Sequence, residues 1–410
     1  MKTPLILRNR DMFLLWIGQL TSQAGIRMYQ IAVVWWIVSM GGSVAGRYIG
    51  GFMVIGALPS VLFVSRIGRF VDATRTKWIL VGCDAAASGT LGLVAALLWL
   101  DRFALSWAYL AGLLVALLQA CFDPCLNKAV AEIVPPEDVE RAVAFQMSTQ
   151  SLASFGGAVA AAVLIERLGL TGVAVLNTGT YLFSALCNAS ITFRYSVPTP
   201  ASASSAAQQD SATGQTAGWR LLDKLPLLRW VLIGFGCVNF FLTPILIILP
   251  LYTKQTLAAS PTVLGMLEAS LWIGLVVGSF STGIVAFVKS TIRVGALCVF
   301  AGGLSLSVPG LIVDRTVYLA MLFCAGLSLG INNVKFVSLF QTVVPSEIKG
   351  RFFALMQALI SFTFPISYFA FGCLADVVSP PRVCLIQGIG IMILSGFFLH
   401  LARFEDELIP

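Results

Sequence analysis

The chain has 410 residues, of which 58% are hydrophobic and only 11% charged, with a mean hydropathy of +0.90. Soluble domains carry about 25% charged residues, so a chain this poor in charge cannot coat a water-facing surface and must present its exterior to lipid. The net charge of +7 does not indicate nucleic-acid binding, because most Lys and Arg fall in short gaps between apolar runs, where they act as topology signals.

In chain order, apolar runs predict spans at 12–39, 45–67, 78–99, 106–128, 142–165 and 169–193, then 228–252, 262–288, 292–313, 316–340, 350–375 and 381–402. Each is near the ~20 residues that cross a bilayer. The first run is longer than a signal-peptide core and no small-residue cleavage site follows it, so a retained helix is expected. With the N-terminus inside and the chain alternating, the inner segments collect 18 Lys and Arg and the outer loops six, namely Arg47, Arg102, Arg167, Lys254, Arg315 and Arg382. That asymmetry places both termini in the cytoplasm. Of the Lys and Arg, the remaining two, Arg27 and Lys335, lie well inside spans rather than at their ends.

Between the sixth and seventh spans, 195–222 is rich in Ser, Ala, Gln and Pro and cannot build a core. The expected organisation is therefore an all-α membrane protein of twelve transmembrane helices: a six-helix bundle at 1–194, a cytoplasmic linker at 195–227 and a second bundle at 228–410. Trp219–Trp230 reads equally as a short amphipathic helix or a plain loop. The halves repeat: Val134-Pro135-Pro136-Glu137, followed by Arg141 and Ala144, recurs 210 residues later as Val344-Pro345-Ser346-Glu347, followed by Arg351 and Ala354. Both copies close an even-numbered span and open the next helix, and such repeats mark transporters.

Charges and amides inside spans are the functional candidates, because an ion at the bilayer centre costs roughly 2.5–3.5 kcal/mol on insertion scales. Gln19, Gln23, Arg27 and Gln30 in the first span lie within about an 80° arc at 100° per residue. They form one polar stripe, facing either a water-accessible cavity or carbonyls that hold the bundle. The fourth span ends on Gln119, Asp123 and Asn127 at i, i+4 and i+8, where Pro124 should disturb the helix. Asp123 is a partner for Arg27, a proton acceptor, or an anchor of a helix end.

In the seventh span, Asn239 and Thr243 precede Pro244 as hydrogen-bonders to substrate or to a neighbouring helix. Glu268 in the eighth is costly as an anion and neutral when protonated, which makes it, with Asp123, the candidate proton carrier. The tenth span sets Ser328, Asn332 and Lys335 on one face beside Asn333, and Asn333 stands 210 residues after Asp123. Asp84, at the start of the third span, reads as structural.

Other patterns carry less. The nine Cys have no paired spacing, and Cys121 and Cys125 have no His near them, His400 being the single His. The cysteines read as packing residues, with neither metal nor cofactor expected. Gly326-Leu327-Ser328-Leu329-Gly330 fits a hydrolase nucleophile pattern, but it lies in an apolar helix with no strand before it, so it reads as a close-packing surface. Asn188-Ala189-Ser190 fits a glycosylation sequon inside a span. No phosphate-binding loop and no nucleophile–base pair is found, so neither ATP-driven transport nor an enzyme is expected.

The loop after the second span carries Gly68-Arg69-Phe70-Val71-Asp72, then Arg75 and Lys77. This resembles the signature loop of the major facilitator superfamily, with Ala73 and Thr76 at positions where that family is usually basic. Within the superfamily the chain is similar to macrolide-efflux and siderophore-exporter members, through Trp16-x-Gly18-Gln19, Asp72 with Asp84, the Val134 motif and Gly350-Arg351. The resemblance implies a central cavity lined by the first, fourth, seventh and tenth spans. It also implies a cytoplasmic latch at Gly68, Asp72 and Arg75, with Gly68 allowing close helix approach. The expected protein is a monomeric, proton-coupled exporter of a small amphipathic molecule in the bacterial inner membrane. Arg27 and Lys335 favour an anionic, siderophore-like substrate over a macrolide. An importer of a siderophore or metabolite, and a lipid or lysolipid flippase, are the alternatives.

Overall fold

A computed structural model describes residues 8–135, 138–193, 226–284, 290–344 and 349–407. The expected linker, apart from Pro226 and Leu227, which open a helix, and most of Trp219–Trp230 lie outside these residues. Every regular element among the described residues is helical. The chain divides into two compact units, one comprising Met1–Ile37 and Ile55–Gln208, the other Val38–Val54 and Gln209–Pro410.

Helix α1 (Arg10–Gly41) opens on Asn9, whose Oδ1 accepts from the backbone N–H groups of Asp11 (3.0 Å) and Met12 (3.2 Å). This occupies donors that a helix start otherwise leaves unmade. Gly42, at φ +52°, turns the chain into α2 (Ala45–Leu62). The short α3 (Val64–Ala73) leads to α4 (Thr76–Trp99) and α5 (Leu105–Ile133). Helix α5 continues past Pro124. One missing N–H does not end a helix whose other bonds have no water to compete with them.

Helix α6 (Val139–Ala189) covers two of the predicted spans and is interrupted at Gly169, with φ 63° and ψ −172°, a conformation that glycine adopts at low cost. In this unit α4 packs along α5 and α6. One apolar cluster gathers Met12 and Leu15 of α1, Ile67 and Val71 of α3, Leu80 of α4, and Phe122, Leu126 and Val130 of α5.

In the second unit, α7 (Pro226–Leu242) and α8 (Ile245–Leu251) are followed by a π-helical turn at Tyr252–Thr256. Then come α9 (Pro261–Ile284), α10 (Thr291–Ser307), α11 (Arg315–Val343), α12 (Lys349–Val377) and α13 (Pro380–Leu401). Ser290 and Asp314 cap α10 and α11 through the N–H groups of Arg293 and Val317. Helix α9 lies along α11, α10 between α11 and α13, and α7 against α12 and α13.

Glycine sets the closest of these approaches. A Cβ at Gly326 or Gly330 would collide with the carbonyl oxygens of Leu271 or Leu275, and one at Gly274 or Gly278 with those of Phe323 or Leu327. The Gly326–Gly330 segment is thus a close-packing surface, as its setting in an apolar helix predicts. At the first turns of α2, Gly46 and Gly50 meet Gly372 of α12, and Asp376 accepts from the backbone N–H and the Nε of Arg47, each at 3.1 Å. Through these contacts Val38–Val54 groups with the second unit.

The 210-residue repeat survives in the helix boundaries. Helix α11 starts and ends 210 residues after α5, and α12 starts 210 residues after α6. Ten helical stretches among the described residues are long and apolar enough to cross a membrane, including Arg10–Leu62 with 53 residues and Leu152–Ala189 with 38.

Candidate functional site

In the first unit the polar stripe of α1 lies between two packing seams. On one side Gly18 and Gly25 touch Ser184, Cys187, Asn177 and Thr180 of α6. On the other, Trp16 Nε1 donates to Thr149 Oγ1 (2.8 Å), and a Cβ at Gly157 would lie 2.7 Å from Ala24 O and 3.1 Å from Arg27 Cβ. Gln23, Arg27 and Gln30 are half-buried between these seams, and Gln19 is buried. The stem of Arg27 is thus fixed where glycine lets α6 approach.

The fourth-span triad is presented differently. Asp123 and Asn127 are exposed. The carboxylate of Asp123 accepts from Gln119 Nε2 at 2.6 Å, and Asn127 Oδ1 accepts from Gln146 Nε2 at 3.3 Å. The bond that holds Asp123 lies within its own helix, because Gln119 sits one turn earlier on the same face.

The buried polar centre of this unit is elsewhere. Asp84 is only 2% exposed, and its Oδ2 accepts from Ser184 Oγ (2.7 Å) and Asn188 Nδ2 (2.8 Å). Asn188 is accordingly a structural donor in the bundle core. Its partners on α6 went unread in the sequence, though Asn177, Thr180, Ser184 and Asn188 recur there at helical spacing and would have shown a second polar stripe. Asp84→Ala strands two buried donors. Intramembrane hydrogen bonds average ~0.6 kcal/mol, with a maximum near 1.7, so the loss should total about 1–3 kcal/mol. Reversible unfolding in detergent should show it, with Asp84→Asn recovering part; an unchanged Asp84→Ala would remove the carboxylate from the fold's supports.

In the second unit, Pro244 cannot bond the carbonyl of Phe240, and the helix breaks there. Ser367 Oγ from α12 donates to that freed oxygen at 2.6 Å, and Gln387 Nε2 from α13 donates to Leu242 O at 3.4 Å. Asn239 and Thr243 spend their own donors inside α7, on Phe235 O (3.0 Å) and Asn239 O (2.7 Å). Any substrate contact by these two is left to their acceptor oxygens and to the second Nδ2 proton of Asn239.

Glu268 is buried on α9 at 5% exposure. Asn332 is buried where α11 meets Gly295 of α10, Asn333 one residue on is exposed, and Lys335 is half-buried. Asp123 and Asn333, equivalent in the repeat, are therefore both exposed on α5 and α11.

The loop residues depart from one expectation. A Cβ at Gly68 would meet nothing within 4 Å, so the close approach expected there is not made. Asp72 and Arg75 are exposed and form no ion pair with each other. Among the described residues, no three His, Cys, Asp or Glu side chains are grouped as metal ligands.

Repeated helical halves in lipid, with cations and amides held inside the spans, define a polytopic membrane transporter. The chain belongs to the Major Facilitator Superfamily, which it matches over residues 15–367. It is 23% identical to macrolide efflux protein A of Streptococcus pyogenes over 382 residues, 92% of each chain. It is also 23% identical to macrolide efflux protein A of Enterococcus faecalis over 319 residues, 76% of this chain and 96% of the relative. Its fold is similar to that of the nucleoside transporter NupG (TM-score 0.75, 12% identity, 95% of this chain and 98% of that one). It is also similar to that of a bacterial homologue of the iron transporter ferroportin in an inward-facing state (TM-score 0.73, 14% identity, 96% and 98%).

Proposed function

We propose that the chain is a secondary active exporter of a small amphipathic molecule, running by alternating access in exchange for protons across a bacterial inner membrane. The observation that carries this reading is the likeness to macrolide efflux proteins over 92% of both chains. Twelve spans with both termini inside follow if the two longest apolar stretches each cross twice. The turn at Gly42 and the break at Gly169 support this, the latter standing 210 residues before Ser379, which separates α12 from α13. The threefold bias of Lys and Arg toward the inner segments supports the orientation.

Arg27 and Lys335 are the groups proposed to receive an anionic part of the substrate, with Gln23 and Gln30 on α1, Asp123 on α5, and Asn332 and Asn333 on α11 as further proposed polar contacts. Gly68, Asp72 and Arg75 remain the proposed latch. The purified protein, screened by thermal shift against siderophores, macrolides and lipids, is expected to be stabilised by carboxylate-bearing ligands. Arg27→Ala and Lys335→Ala should each weaken that stabilisation at least tenfold in ligand concentration. Undiminished stabilisation in both variants would refute cationic recognition and leave efflux itself standing.

A further inference from the structure

The surface around α3 carries guanidinium groups that the first unit itself does not neutralise. Arg66, Arg69 and Arg75 are exposed, and their side chains make no ion pair or hydrogen bond with the described residues. Helix α3 is amphipathic: Ile67 and Val71 are buried in the apolar cluster with α1, α4 and α5, which leaves the opposite side outward. At 100° per residue, Arg66 and Phe70 share one flank of that outer side, Arg69 is central, and Asp72 lies on the far flank. The one carboxylate of the helix therefore points away from Arg66.

Exposed apolar side chains accompany these arginines along the chain, where a water-facing surface would not carry them. Phe70 is 54% exposed, and Leu62 and Trp78, at the ends of the spans that α3 connects, are 63% and 66% exposed. Lys77, beside Trp78, is engaged by the carbonyl of Ile191 at 3.1 Å, so it is a fixed part of the frame. Unneutralised arginines set among exposed aromatic and aliphatic side chains at span ends match a ligand that is anionic at one end and apolar at the other.

We propose that Arg66, Arg69 and Phe70, flanked by Leu62, Arg75 and Trp78, form a docking surface for the phosphate headgroup of an anionic phospholipid in the adjoining leaflet. Arg66 and Arg69 take the phosphate, Arg75 adds to the local potential, and Phe70 and Trp78 lie along the glycerol and upper acyl region. A free phosphate ion would use only the arginines and leave the apolar side chains without a role.

The test uses the full chain in detergent, titrated with phosphatidylglycerol, phosphatidylcholine or inorganic phosphate, with thermal unfolding as the readout. Nanodiscs of phosphatidylcholine alone, or with about one third phosphatidylglycerol, repeat the comparison in a bilayer. Phosphatidylglycerol should stabilise the protein and the other two should not. A basic residue near an anionic surface contributes ~1 kcal/mol, so Arg66→Gln/Arg69→Gln should weaken phosphatidylglycerol binding about thirtyfold. Arg102→Gln/Arg382→Gln, the same charge change elsewhere, should leave it as in the wild type.

Wild-type affinity in the Arg66→Gln/Arg69→Gln variant, or equal stabilisation by inorganic phosphate, would overturn the proposal. A photoreactive phosphatidylglycerol bound to the wild-type protein keeps the test open should the variant not fold. Attachment within 62–78 supports the surface, and attachment only elsewhere overturns it.

Discussion

Gly326→Leu is expected to prevent stable assembly of the second unit, while Gly89→Leu leaves the protein folded. The contrast comes from what each new side chain would meet. At Gly326 a Cβ alone would collide with Leu271 O and lie 2.9 Å from Leu275 N, and these are backbone atoms that cannot rotate away. Gly330, Gly274 and Gly278 repeat the collision along the same seam, so α9 and α11 cannot separate at one position without opening the others. Overpacking a core costs about 1–3 kcal/mol when side chains can move aside. Here whole helices must shift, and the cost should exceed ~3 kcal/mol against a total stability on the order of 5–15 kcal/mol. Gly89 is exposed on α4 with nothing within 4 Å of its would-be Cβ. Gly89→Ala should be neutral or stabilising by helix propensity, and Gly326→Ala clearly destabilising. Size-exclusion profiles and unfolding midpoints in detergent would measure both pairs; equal behaviour at the two sites would show that α9 and α11 do not rely on direct backbone contact.

That seam was legible because the Gly326 and Gly330 spacing sits in an uninterrupted apolar run, where the reason for small residues is close helix approach. The contact of Gly46 and Gly50 with Gly372 was not legible. It joins residues more than 300 positions apart, and nothing in either local pattern names the other. The spans themselves were readable from hydropathy, and the repeat fixed the register so well that α5 and α11 keep their 210-residue offset at both ends. Where two predicted spans merged into α6, the sequence held the clue as a single glycine at 169, which hydropathy averaging hides.

Polar residues inside the spans were harder to assign, because the bilayer gives an amide two uses: lining a wet surface, or bonding a neighbouring backbone. Gln19 and Asn332 fell on faces judged polar by spacing, yet both are buried. Asn239 and Thr243 bond carbonyls of their own helix one turn back, a local option that spacing cannot distinguish from a site. The break at Pro244 shows the physical cause. It frees the carbonyl of Phe240, which is filled from outside the helix by Ser367, and the neighbouring carbonyl of Leu242 accepts from Gln387. The polar residues supporting that break are therefore on α12 and α13, far from it in sequence.

Glu268→Gln should reduce pH-gradient-driven flux in proteoliposomes to the level of protein-free vesicles while substrate binding persists. Glu268 lies seven residues into α9, in a span, and is buried at 5% exposure. Gln keeps the size and a carbonyl acceptor but has no exchangeable acidic proton, so it holds the site in its neutral state. Under an exchange mechanism the substrate step survives and the proton step does not. Substrate–substrate exchange without a pH gradient should therefore continue in Glu268→Gln at close to the wild-type rate. Asp123→Asn separates the two candidate carriers, since Asp123 is exposed and bonded to Gln119 within its own helix while Glu268 is buried. Loss of coupled flux in Asp123→Asn alone, with Glu268→Gln transporting normally, would move the proton site to α5. Normal coupled flux in both variants would place the driving ion elsewhere and leave Glu268 as a structural hydrogen-bonding group.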